Sequence, residues 1–118
     1  MPVPPVSTPS RSVALVTPDG ELDVATAPAL RDALRRAAAT GCSLVVVDLS
    51  GVTFVDSTVL GVLVEVHRAL APERGLRLVG ATGLPLRALQ LTGLDTVLDL
   101  RPPDEALARE LAGRSSDA

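Results

Sequence analysis

The sequence predicts an α/β layer fold with a largely parallel central sheet. Three observations carry this. Leu44-Val45-Val46-Val47 is a continuous apolar run, followed by Asp48 and Leu49; a strand apolar on both sides is one buried on both faces, as central parallel strands are. After Asp56-Ser57-Thr58 the period changes. Val59, Val62, Leu63, Val66 and Leu70 recur three or four apart, and Leu60 and Val64 widen the stripe, the pattern of a well-buried helix. Further apolar runs alternate with helical patterns before and after this pair, and that alternation is the mark of parallel strands joined by crossover helices.

Residues 1–11 carry Pro2, Pro4, Pro5 and Pro9. Proline lacks the donor a central strand needs, so this stretch reads as a flexible arm or at most a weak edge strand. The domain proper reads as 12–113. Val13-Ala14-Leu15-Val16 is a strand, and Pro18-Asp19-Gly20 a turn. Glu21-Leu22-Asp23-Val24 continues extended or leads toward a helix. The first helix starts near Thr26, a plausible N-cap, with Pro28 in the first turn where its missing N–H does no harm. Leu30, Leu34, Ala37 and Ala38 form its apolar stripe, and Gly41 stops it. The central strand and second helix follow, closing at Pro72 and Gly75, and Gly61 is expected to let that helix approach the sheet closely. Leu76-Arg77-Leu78-Val79 is another strand. Gly80-Ala81-Thr82-Gly83 is a loop without the lysine and spacing of a phosphate loop. Leu84 to Leu91 is a short helix, with Gly93 after it. Thr96 to Leu100 reads as a last short strand. Pro102-Pro103-Asp104 opens a fourth helix bearing Leu107 and Leu111, and 114–118 is a polar, disordered tail.

Composition narrows the function. The chain has 118 residues, 47% of them hydrophobic, enough for one domain with one core. Phe54 is the sole aromatic residue, so Val, Leu and Ala build that core. A net charge of −3 argues against nucleic acid, which needs a basic face to displace counterions. Cys42 is alone, which leaves neither a disulfide framework nor a cysteine-based metal site. No apolar run reaches the roughly 18 to 20 residues of a membrane helix, and proline interrupts the place of a signal-peptide core. The expectation is a soluble cytoplasmic protein with no membrane, cofactor or metal.

Few chemical groups offer themselves. His67 sits beside Arg68 without an evident partner and reads as a surface residue. Glu21 and Asp23 are paired carboxylates in a turn, where acidic residues are common for local reasons. Ser57 lacks the elbow sequence of a hydrolase, and Asp48 with Asp56 has no metal-ligand spacing. Asp56-Ser57-Thr58 opens the second helix. It is either a set of N-caps for free helix N–H groups or a functional site.

GELDVATAPALRDAL, VVVDLSGVTFVDSTVLGVLVEVHRA and LRLVGATGLPLRALQLTGLDTVLDL together resemble the STAS domain of sulfate transporters and anti-sigma-factor antagonists. The resemblance runs from about Val13 to Leu111. The D-S-T-x-L-G element is its most specific part, reinforced by the G-E-L-D turn and the L-T-G-L segment. A lone domain without membrane spans is similar to the bacterial anti-sigma-factor antagonists.

That resemblance implies a single STAS-like domain with a mostly parallel sheet and about four helices. It implies a binding protein and not an enzyme. Such antagonists bind an anti-sigma factor that is also a serine kinase, and so release the sigma factor. The kinase phosphorylates the serine after the motif's Asp, here Ser57; the modified antagonist lets go, and a phosphatase restores it. Asp23, Asp56, Ser57, Thr58, Val59 and Gly61 are the implied partner-contacting residues. Two departures stand out. Val59 occupies the usual glycine position of D-S-[ST]-G-L, where it is expected to add bulk beside Ser57. The proline-rich start is the second, since the family begins with a paired edge strand that is expected to be short or absent here. The rival reading is a scaffold or ligand-sensing STAS module in which Ser57 only caps the helix; a small hydrolase using Ser57 is a third and weaker one.

Overall fold

The structure, a computed structural model, describes residues 3–10, 12–70 and 75–101. Seven strands and four helices follow one another among these residues: β1 (Val6–Ser10), β2 (Val13–Val16), β3 (Gly20–Leu22), α1 (Ala27–Ala39), β4 (Leu44–Asp48), β5 (Val52–Val55), α2 (Ser57–Leu70), β6 (Gly75–Val79), α3 (Gly83–Leu91), α4 (Leu94–Val97) and β7 (Asp99–Arg101). The main sheet has the order β1-β2-β4-β6-β7, and β3 and β5 form a separate parallel pair. Every neighbouring pair in the main sheet is parallel except β1–β2. The expected α/β architecture is therefore present.

The apolar run at β4 does what its composition requires. Val45, Val46 and Val47 are all fully buried, which places β4 at the middle of the sheet with both faces covered. Ala14, Val16, Val45, Val47, Leu76 and Leu78 share one core with Leu30 and Leu34 of α1 and with Val59, Leu63 and Val66 of α2. Arg31 of α1 reaches Glu65 of α2 at 2.9 Å, an exposed pair that ties the two helices at the surface. At the far edge, Arg77 and Arg101 both bind Asp99, at 2.9 and 2.8 Å. Burial pushes the Asp99 carboxyl up, but hydrogen bonds and charge from the two guanidinium groups outweigh this and hold it below the ordinary carboxylate range.

The N-terminal stretch takes the second of its two expected forms. Val6–Ser10, inside the span read as a flexible arm, is an edge strand antiparallel to β2. Its register shifts between Ser7 and Ser10, and Pro9 sits in that irregular stretch, where no ladder donor is required of it. Pro9 is buried, and the Thr17 N–H donates to the Pro5 carbonyl at 3.1 Å. Deleting residues 1–10 should therefore lower stability by about 1–3 kcal/mol, the scale of losing one or two buried side chains. Urea denaturation of the truncated chain checks this; an unmoved midpoint would show that β1 contributes nothing.

Two differences from expectation lie further along the chain. Thr96 and Val97 belong to the short helix α4 and not to a strand, which starts only at Asp99. Gly93 adopts a left-handed conformation (φ 74°) and turns the chain straight from α3 into α4. Gly75 opens β6 instead of closing α2. The expected helix from Pro102, the tail at 114–118 and the stop at Pro72 lie outside the described residues.

Gly80 fixes the end of the central strands. It has φ 74°, and a Cβ there would stand 2.9 Å from Asp48 Oδ1 and 3.1 Å from Ser50 Cβ. The same Asp48 oxygen accepts the Ser50 N–H at 2.9 Å. Gly80→Ala should cost about 1–3 kcal/mol through left-handed backbone strain alone, with the clash in addition. A thermal midpoint equal to wild type would contradict this packing.

Candidate functional site

The minor β3–β5 pair builds the site. Leu22 pairs with Val55, so the residues that follow them, Asp23 and Asp56, emerge side by side. The Asp56 N–H donates to the Leu22 carbonyl at 3.1 Å and closes that ladder. Both chains then turn into helices, and each aspartate is used in its turn. Asp23 Oδ1 accepts the N–H groups of Ala25 (3.0 Å) and Thr26 (3.1 Å), while Thr26 Oγ1 accepts the Asp23 N–H at 2.8 Å. This reciprocal exchange starts α1. Thr26 precedes the helix as expected, but its side chain bonds no helix N–H.

At α2, Asp56 Oδ1 accepts the Val59 N–H at 3.1 Å, the usual bond of an N-cap residue to the third helical position. Asp56 is therefore the cap. Ser57 and Thr58 are the first two helical residues, both exposed, and among the described residues neither hydroxyl makes a hydrogen bond. The alternatives left open by the sequence separate here: capping needs Asp56 alone, and the Ser57 hydroxyl is left facing solvent at the positive end of a 14-residue helix.

The six singled-out residues do not all reach one surface. Asp23, Asp56, Ser57 and Thr58 lie together at the mouth of the β3–β5 pair. Val59 is fully buried, because the third helical position of α2 faces the sheet. It adds no bulk to the surface beside Ser57, which corrects the reading of Val59 as a partner contact. Gly61 is exposed, and apart from its chain neighbours and the helix's own backbone no atom of the described residues lies within 4 Å of where its Cβ would stand. It is on the outer face of α2 and so does not serve close packing on the sheet. His67 is half-buried, with its Nδ1 enclosed and unpartnered among the described residues.

A groove of about 620 Å³ starts at Ser57 and runs along the outer face of α2 past Leu60, Gly61, Val64 and Arg68, with Thr92 and Leu94 as its opposite wall. Sequence reasoning assigned Leu60 and Val64 to the helix's buried stripe and missed the wall, since Thr92 and Leu94 reach α2 only through the fold. Phe54 on β5 is 40% exposed. A lone aromatic residue in a chain whose core is aliphatic was the one signal pointing to it.

The profile described as "Mlab, STAS domain" matches residues 9–102. The chain belongs to the STAS domain family. This STAS domain is 34% identical over 87 residues to an anti-sigma-B factor antagonist of Bacillus subtilis, an alignment covering 73% of this chain and 79% of the relative. It is 31% identical over 83 residues to an anti-sigma-B factor antagonist of Listeria monocytogenes, covering 70% and 73%. Among solved structures, an anti-sigma factor antagonist from Mycobacterium paratuberculosis superposes with a TM-score of 0.79 at 33% identity, covering 93% of this STAS domain and 91% of that chain. No helix among the described residues is long and apolar enough to cross a membrane.

Proposed function

We propose that this STAS domain is an anti-sigma-factor antagonist that binds an anti-sigma serine kinase and is switched off by phosphorylation of Ser57. One observation supports this above the others. Asp56 takes over the capping bond, so the exposed Ser57 hydroxyl has no structural duty and is presented at a helix start. The protein acts as binding partner and kinase substrate, without catalysis of its own, and a phosphatase returns it to the binding form.

The switch follows from charge. A phosphate adds roughly −1.5 to −2 charges. The unbonded N–H groups of the first helical turn favour it locally, while Asp56 and the neighbouring Asp23 oppose it. These opposed local terms leave the fold unchanged. At a closed interface, however, the same group must be desolvated and accommodated, and that cost falls on the complex alone. Phosphorylation thus excludes the partner without refolding the antagonist. The scaffold reading has Ser57 as the helix cap, and that bond is made by Asp56.

The test uses anti-sigma kinases purified from the source organism. One of them should bind the chain, and on addition of ATP should add a single phosphate, mapped to Ser57 by mass spectrometry, with release of the complex. Absence of binding by every such kinase, or a phosphate placed elsewhere, would overturn the proposal.

A further inference from the structure

Phe54, the sole aromatic residue, takes no part in the core that Val, Leu and Ala build. It pairs with Glu21 across the β3–β5 ladder, and paired residues on neighbouring strands project to one side of a sheet. Leu22 and Val55, the next pair, are buried. Glu21 and Phe54 therefore both point outward, and both are exposed. Helix α3 packs alongside β5. Gly80, just before α3, lies against Asp48 and Ser50 at the approach to β5. Thr92, at its other end, faces Ser57 across the α2 groove. The helix thus runs the length of β5, with Phe54 beside its middle. Pro85 and Leu89 are its buried residues. Leu84, Arg87 and Leu91, three and four apart, form a stripe on the opposite side. Leu84 is 61% and Leu91 77% exposed. Single exposed apolar side chains are ordinary, but a row of them on adjoining elements marks a contact surface. Charge frames the row, with Glu21 on the strand side and Arg87 on the helix side. Neither side chain makes an ion pair or hydrogen bond among the described residues.

We propose that this face joins two copies of the chain in a two-fold dimer, with Phe54 and Leu84 near the axis and Arg87 of each copy paired with the partner's Glu21. A two-fold interface must be complementary to itself. An apolar centre with an anion on one side and a cation on the other meets that demand, because half a turn brings each charge onto its opposite. The same turn keeps the two Arg87 side chains apart, on opposite sides of the axis. A second copy therefore matches both unpaired charges at once. The face is small, so the dimer belongs to the weak class that buries less than about 1,200 Å² and fills as concentration rises. The inference stands apart from the kinase reading, because it uses none of the residues at the start of α2.

The experiment is sedimentation equilibrium of the full chain across a concentration series, for wild type, Glu21→Arg, Arg87→Glu, the double variant Glu21→Arg/Arg87→Glu, and Leu84→Asp. Thermal melting of each variant runs alongside. The wild-type mass should rise with concentration toward twice that of the monomer. Each single charge reversal sets like charges together at two symmetric places and should weaken association by at least about tenfold. The double variant exchanges the two charges and should associate as wild type. Leu84→Asp should stay monomeric. All these positions are exposed, so melting should remain within the small range of surface substitutions. Recovery in the double variant also shows that the single reversals changed the contact and not the fold. A wild type that stays monomeric throughout overturns the proposal. So does a dimer that survives both reversals and Leu84→Asp, since another surface then holds it. Single reversals that weaken the dimer without recovery in the double variant overturn the pairing of Arg87 with the partner's Glu21. If wild type is monomeric and Arg87→Glu instead impairs binding of an anti-sigma kinase, the occupant is that kinase and the dimer is overturned.

Discussion

Leu63→Asp should unfold the domain or lower its melting temperature steeply. Leu63 is 1% exposed at the centre of α2, within the core that the helix shares with Leu76, Leu78 and Leu34. A carboxylate there either stays charged without a partner or takes up a proton, and in both cases it replaces apolar contacts with an unsatisfied polar group. Such changes cost about 4–5 kcal/mol or more, against a total stability of about 5–15 kcal/mol for a domain of this kind. Leu49→Asp should behave alike: Leu49 is 1% exposed, and its N–H donates to the Val79 carbonyl at 2.8 Å just past the end of β4. Circular dichroism during heating decides the matter. A cooperative transition at the wild-type temperature in both variants would show that these residues do not form the core.

Ser57→Asp should fold like wild type and bind its kinase poorly. A carboxylate at the first position of α2 meets the positive end of the helix and the negative charge of Asp56, so the two local effects oppose each other. At a closed contact its charge must be desolvated, and removal of complementarity at such a site weakens binding by about tenfold or more. Ser57→Ala should be nearly neutral for stability, within about 0.5 kcal/mol, as for a surface residue that makes no bond. Asp56→Ala, by contrast, should cost about 1 kcal/mol, because Asp56 holds the cap. Ser57→Ala should still bind the kinase and remain bound with ATP present, while Thr58→Ala should still be phosphorylated. Intact mass and binding, read for each variant with kinase and ATP, check the set. A phosphate on Ser57→Ala, or undiminished binding by Ser57→Asp, would favour the scaffold reading.

Much of this architecture is local and therefore readable along the chain. The unbroken apolar run at β4 can be satisfied only by burial on both faces, and Val45, Val46 and Val47 are so buried. The three-and-four spacing of Val59, Val62, Leu63, Val66 and Leu70 describes one helical face wherever that helix is placed, and every one of these residues is buried. Strand β1 was harder to read. Proline counts against a ladder, yet an edge strand with a register shift can hold Pro9, and that depends on β2 being alongside. Thr96 and Val97 likewise have the composition of a strand, but the left-handed turn at Gly93 starts a helix before β7 can begin.

By itself the sequence determined the class of fold, the core faces of α1 and α2, and the Asp56-Ser57-Thr58 helix start, because periodicity and capping chemistry act over a few residues. Only the tertiary structure decided the division of labour within that start. Asp56 is the cap because its backbone is held by Leu22 of a strand far away in sequence, which leaves Ser57 free. The same holds for Val59 and Gly61, two residues apart on α2. Which of them meets the core and which meets solvent is set by the helix's rotation against the sheet. Rotation is fixed by packing with α1 and β6, and that information is spread over the whole chain.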